Sequence, residues 1–167
     1  GVIFMRIRLM KKQDIPQVVE LFVTSYKKED KSRFYPFVHS LFKAMGLQCY
    51  NEVGRIDGLL EYKGVKIPCE IKSFMETSAY NMKGVRQALE NKLVVYKEPD
   101  DLMYASLLVG YFHPSAVSEI LEFIDAVYEE LGIKIIAFDL KTLVSMCVNT
   151  IWDKQRVDFD KLFSSYG

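Results

Sequence analysis

The chain has 167 residues, 22 basic and 22 acidic side chains, and a formal net charge of zero. Half of the residues are hydrophobic and 26% are charged, which suits one ordinary globular domain and excludes a disordered chain. No apolar run reaches the ~20 residues of a membrane span, Val2-Ile3-Phe4 is too short for a signal-peptide core, and zero net charge offers no bulk attraction for nucleic acid.

Along the chain, residues 4–9 read as a short strand. Asp14 then caps a helix from Ile15 to about Lys27, with Val18, Val19, Leu21 and Phe22 at helical spacing. A charged run over 27–33 breaks it. The next helix begins at Ser32 or Arg33, carries Phe34, Phe37, Val38, Leu41, Phe42 and Met45 on one face, and stops at Gly46. Residues 47–50 form a short strand. Residues 56–62 and 65–73 flank Lys63-Gly64 and make a hairpin. A loop to about Ala79 precedes a helix over 84–96, whose Leu89, Leu93, Val94 and Tyr96 read mostly as a core-facing stripe. Residues 103–112 are a buried strand. Pro114 starts a long helix to Leu131 that Gly132 ends. Residues 133–138 are a strand, Asp139 caps a helix to about Asn149, and Asp158 caps a short last one. This alternation predicts a single α/β domain over 1–167, with a mixed central sheet and helices on both faces.

Cys49, Cys69 and Cys147 lie far apart in apolar surroundings, so they read as free thiols of a reducing cytoplasm and not as a disulfide framework or zinc knuckle. His39 and His113 are not at metal-site spacing. The balanced charge hides an asymmetry. Residues 1–33 carry eight basic and four acidic groups, and residues 114–167 carry five and nine. A basic front and an acidic tail can orient a molecule against a polyanion, or can be two solvated helical faces.

The hairpin carries the chemistry. With Lys63-Gly64 as a two-residue turn, Tyr62 pairs with Val65, Asp57 falls opposite Glu70, and Arg55 falls opposite Lys72. Strand side chains alternate between faces, so Asp57, Glu70 and Lys72 share one. Two directly opposed carboxylates repel unless something compensates. A divalent cation does so: Mg²⁺ takes hard oxygen ligands, commonly one or two carboxylates plus water and phosphate oxygens. Asp/Glu-x-Lys is a cheap pattern, occurring five times in this chain, but only Glu70-Ile71-Lys72 sits in an apolar strand facing a second acid. Salt bridging across a surface hairpin explains Glu61 opposite Lys66 and does not explain Asp57 opposite Glu70.

Asp-x(12)-Glu-x-Lys, preceded by a helix ending in Gly46, resembles the PD-(D/E)xK nuclease superfamily. Phe42-Lys-Ala-Met-Gly46, Arg55-Ile-Asp-Gly58, Tyr80-Asn-Met and Gln87-Ala-x-Glu resemble stretches of FokI-type cleavage domains. The resemblance implies a restriction-endonuclease-like core and a type IIS restriction endonuclease cleavage module that cuts one strand of double-stranded DNA. It implies Asp57, Glu70 and the Ile71 carbonyl as ligands of Mg²⁺, for which Mn²⁺ substitutes. Lys72 would orient or deprotonate the attacking water, helped by Gln87. Arg55, Lys83 and Arg86 would touch DNA phosphates, with Lys11, Lys12 and Lys27 as further candidates. The expected partner is a larger DNA-recognition and nicking subunit in a heterodimer, or a second cleavage domain in a transient dimer; Met5 as a native start favours the subunit. The helix before the hairpin lacks the acid that many members carry, leaving Glu20, Glu29 or no third acid. Another PD-(D/E)xK repair or junction-cleaving nuclease, and a non-catalytic interaction module on that fold, are the competing readings.

Overall fold

The computed structural model describes residues 11–153 and 156–167, with the backbone alone over 78–81. The strand expected at residues 4–9 lies outside the described residues. After a 3-10 turn at Lys12–Asp14 come helices α1 (Ile15–Tyr26) and α2 (Lys31–Ala44). Strands β1 (Gln48–Tyr50), β2 (Gly58–Tyr62) and β3 (Val65–Lys72) follow. The chain continues through α3 (Phe74–Val95), β4 (Ser106–Gly110), α4 (Val117–Leu131), β5 (Ile135–Asp139), α5 (Leu140–Asp153) and α6 (Phe159–Phe163).

The protein is an α/β fold with one five-stranded mixed sheet in the order β1-β2-β3-β4-β5. β1, β2 and β3 pair antiparallel, whereas β3, β4 and β5 pair parallel. The hairpin turns as expected, with positive φ at both Lys63 (50°) and Gly64 (79°), the geometry a two-residue turn of type I′ demands. Its register is also as expected, with Tyr62 opposite Val65, Leu60 opposite Ile67 and Gly58 opposite Cys69.

Period-2 alternation on β3 and β4 splits the core into two halves. Cys69, Ile71, Leu107 and Val109 face α2 and α5, where Phe34, Val38, Leu41 and Leu143 are buried. Leu108 and Ile135 face α3 and α4, against Val85, Ala88, Ile120 and Ile124. Glu70 and Lys72 therefore belong to the α3 face. Gly167 pairs with the outer edge of β5: its N–H donates to Ile135 O and its O accepts from Ala137 N–H, each at 3.0 Å.

Several boundaries differ from expectation. The loop and helix expected over 74–96 are one 22-residue helix, α3. Ser73-x-x-Glu76 caps it: the Ser73 N–H and Oγ–H both donate to Glu76 Oε1 at 2.9 Å. Leu93, Val94 and Tyr96 are exposed instead of core-facing (52%, 69% and 41% accessible), because α3 turns a different side to the sheet. α2 starts at Lys31, one or two residues earlier than expected, on an Asp30 cap whose side chain accepts from the Ser32 N–H. The strand expected over 103–112 is shortened to β4 by a 3-10 turn at Pro99–Leu102 and irregular backbone after it.

Candidate active site

β2 begins only at Gly58 because the chain just before it folds back on itself. The Ile56 N–H donates to Val53 O, and the Val53 N–H donates to Ile56 O, both at 3.0 Å. With its backbone committed there, Ile56 does not pair with Ile71, which would be the next rung of the hairpin. Asp57 fills the gap: its Oδ2 accepts the Ile71 N–H at 2.9 Å. In a strand, the N–H and C=O of one residue point to the same side, so the Ile71 carbonyl faces this interrupted edge as well. Asp57 thus lies across from Glu70, as the register predicted, but just beyond the ladder. Arg55, expected opposite Lys72, is instead on the exposed 53–56 turn, because that turn diverts the strand.

Glu70 is 4% accessible and its charge is met on both oxygens. Lys72 Nζ lies 3.1 Å from Oε1, and Asn91 Nδ2 donates to Oε2 at 3.0 Å. A buried carboxylate needs such partners, since desolvation otherwise costs several kcal/mol. Asp57 is less well served. Burial, and next the charge of Glu70, push its carboxyl up to about 8, against the opposing pull of the Ile71 N–H.

Helices α2 and α3 hold the pair in place. On α2, His39 is buried and its Nε2–H donates to Asp57 O at 2.7 Å. The ring packs so closely on Gly58 that a Cβ there would lie 3.1 Å from the ring carbon Cδ2. Burial pulls the His39 imidazole down, so it is neutral and Nε2 carries the proton. One turn earlier, the buried Tyr35 hydroxyl donates to Glu76 Oε1 at 3.3 Å. Burial, and then the charges of Asp57, Glu76 and Glu70, push its phenol up. On α3, Gly84 allows close approach to the sheet: a Cβ would meet Leu108 at 3.0 Å and Lys72 Cγ at 3.4 Å. Sequence reasoning missed His39, Tyr35 and Asn91. Two polar residues one turn apart on the buried face of an otherwise apolar helix were the available signal for the first two.

Gln87 sits mid-helix on α3, one turn before Asn91, and lines the cleft beside Glu70. It is not at a helix start, since α3 begins at Phe74. Its Oε1 is buried and meets no donor among the described residues. Lys83 and Arg86 are exposed on α3 near Gly84. Lys27 lies over the Phe74 ring, 5.2 Å from its centroid. The side chains of Tyr80 and Asn81 lie outside the described residues. Glu20 pairs with Lys141 at 2.7 Å and Glu29 with Arg33 at 3.9 Å.

Among the described residues, no group of three or more His, Cys, Asp or Glu side chains gathers to hold a metal. What the site offers is two adjacent carboxyl groups, one of them pushed up by burial and by the charge of the other, and a backbone carbonyl. That donor set fits Mg²⁺, which keeps several waters and accepts substrate oxygens to complete its shell. Compared with protein-family models, curated proteins and solved structures, the chain matches none.

Proposed function

We propose that this chain is a Mg²⁺-dependent DNA endonuclease module, with Mn²⁺ able to substitute, on a restriction-endonuclease-like core. In this reading it hydrolyses a phosphodiester bond in one strand of double-stranded DNA, as the cleavage module of a type IIS restriction system. The placement of Asp57 beside Glu70 and Lys72 at the interrupted end of the hairpin carries the reading, and the resemblance of the same residues to the PD-(D/E)xK motif supports it.

Asp57, Glu70 and the Ile71 carbonyl would hold the cation. When bound, Mg²⁺ polarises a phosphodiester and acidifies water. The protein's own side chains do the rest. Asn91, donating to Oε2, orients Glu70. Lys72, anchored on Glu70, places an ammonium next to the acids, where it orients the attacking water and stabilises negative charge building on the phosphate. His39 and the Ile71 N–H fix Asp57 from its backbone and side-chain ends. Gln87 presents an acceptor to the same space. Arg55, Lys83 and Arg86 would contact phosphates, which positions DNA without reading sequence.

Site recognition would come from a larger recognition and nicking subunit, or from a transient dimer of cleavage domains. The zero net charge supports dependence on such a partner, and the exposed Leu93 of α3 and Tyr96 just past its end offer it an apolar contact. Buried free Cys69 and Cys147 fit a cytoplasmic setting.

A nicking assay in Mg²⁺ tests the reading. Asp57→Ala and Lys72→Ala are expected to lower strand cleavage at least 1,000-fold while leaving the far-ultraviolet circular dichroism of the folded chain intact, in line with the loss of transition-state stabilisation at such sites. Cleavage that survives either substitution would sink it.

A further inference from the structure

Among the described residues, α3 packs chiefly on β3 and β4, and its contacts do not extend to the same degree over β1 and β2. There a cleft of about 540 Å³ runs between β2 and α3. We infer that this cleft binds one unpaired nucleotide of the strand being cut, next to the scissile phosphate. The inference rests on the nuclease reading of Asp57, Glu70 and Lys72, and extends it to the form of the substrate.

Five features of the cleft support this. Glu70 is part of both the cleft wall and the acid pair, so whatever fills the cleft adjoins the reacting phosphate. The cleft is within the size range of small-ligand pockets and far too small for a duplex. Its chemistry is graded: Ile56, Leu59 and Val94 give an apolar wall, and Gln87 and Asn91 an amide floor. Gln87 Oε1 is a buried acceptor with no donor among the described residues, and the N–H groups of a base would supply one. At the rim stand exposed Arg55, Lys66 and Lys97, suited to flanking phosphates. Glu90 on the same lip, and Asp101 near Lys66, temper this charge without reversing it.

Beside the cleft, Tyr50 pairs with Leu59 across β1 and β2, so its ring lies on the same sheet face, and it is 44% accessible. Its hydroxyl accepts from Gln48 Nε2 at 2.6 Å and donates to Glu61 Oε2 at 3.3 Å, which tethers the ring on the sheet. An exposed, tethered aromatic next to a polar-floored slot is the arrangement on which unpaired bases stack in proteins that hold single strands.

The test uses the full chain carrying Asp57→Asn, so that substrate survives, and fluorescence anisotropy of three labelled oligonucleotides: a single strand, its full duplex, and a duplex with one unpaired nucleotide. The single strand and the interrupted duplex are expected to bind at least tenfold more tightly than the full duplex. Adding Val94→Trp, which fills the cleft from an exposed position, or Tyr50→Ala should erase that preference. A full duplex that binds as tightly as the other two, or a preference untouched by both substitutions, overturns the inference. Cleavage by the unmodified chain in Mg²⁺ is read separately. Selective binding together with strand cleavage that survives Asp57→Ala would leave a nucleotide cleft and remove the nuclease reading, and cleavage lost in Asp57→Ala without selective binding would do the reverse.

Discussion

Lys92 is wholly buried on α3, and its Nζ meets no hydrogen-bond partner among the described residues. Burial pulls its ammonium down to about 8; the charge of Asp101 opposes this and that of Lys134 adds to it. In the unfolded chain the same group titrates near 10.4. The folded state therefore holds the proton more weakly. Stability contributed by this site rises with pH between about 8 and about 10.5, and below pH 8 the full penalty of a buried ammonium is present. Lys92→Met keeps the volume and removes the charge. It is expected to stabilise the protein by about 2 kcal/mol at pH 7, with the gain vanishing by about pH 10.5. Urea midpoints at the two pH values check this, and equal midpoints for both proteins at pH 7 would show that the ammonium is satisfied after all.

Glu76 matters at the scale of the element, because it ties α3 to both the strand before it and the helix across from it. One carboxylate oxygen accepts from the Ser73 N–H, the Ser73 hydroxyl and the Tyr35 hydroxyl. Glu76→Ala should cost about 1–2 kcal/mol and lower the melting temperature by about 2–8 °C, whereas Glu76→Gln, which keeps an acceptor, should recover most of it. The same element shows where the sequence could be read and where it could not. The hairpin register was legible because Lys63-Gly64 is a strong turn signal and the rest follows by counting. That alone put Asp57, Glu70 and Lys72 together. The first turns of α3 were not legible, since Phe74 and Met75 are exposed and give no helical apolar stripe. Gly84 looked like a place for the helix to begin, whereas it is a helical residue that lets α3 approach Lys72 and Leu108. His39, Tyr35 and Asn91 reach the hairpin from helices, and strand counting carries no information about how a helix docks.

For the whole molecule, the balanced charge bounds how strongly DNA would be held under the proposed reading. If a single strand is held at the cleft by Arg55, Lys66 and Lys97 alone, without the Lys83 and Arg86 contacts proposed for the duplex, three cations act. Counterion release then predicts a log–log salt slope of about −2 for single strands, which is roughly a 20-fold loss of affinity from 50 to 200 mM salt. Titrations at a series of salt concentrations measure it, and a much steeper slope would place the contact on a larger basic surface. The last residue bears on assembly at the same scale. A sheet edge with free N–H and C=O groups is a template on which another chain can crystallise as a further strand. β1, at one edge, is only three residues long, and at the other Gly167 already occupies the groups of Ile135 and Ala137. Growth of the sheet from chain to chain is thereby blocked at those two β5 positions, and a second protein there has to be met by side chains and helix surfaces.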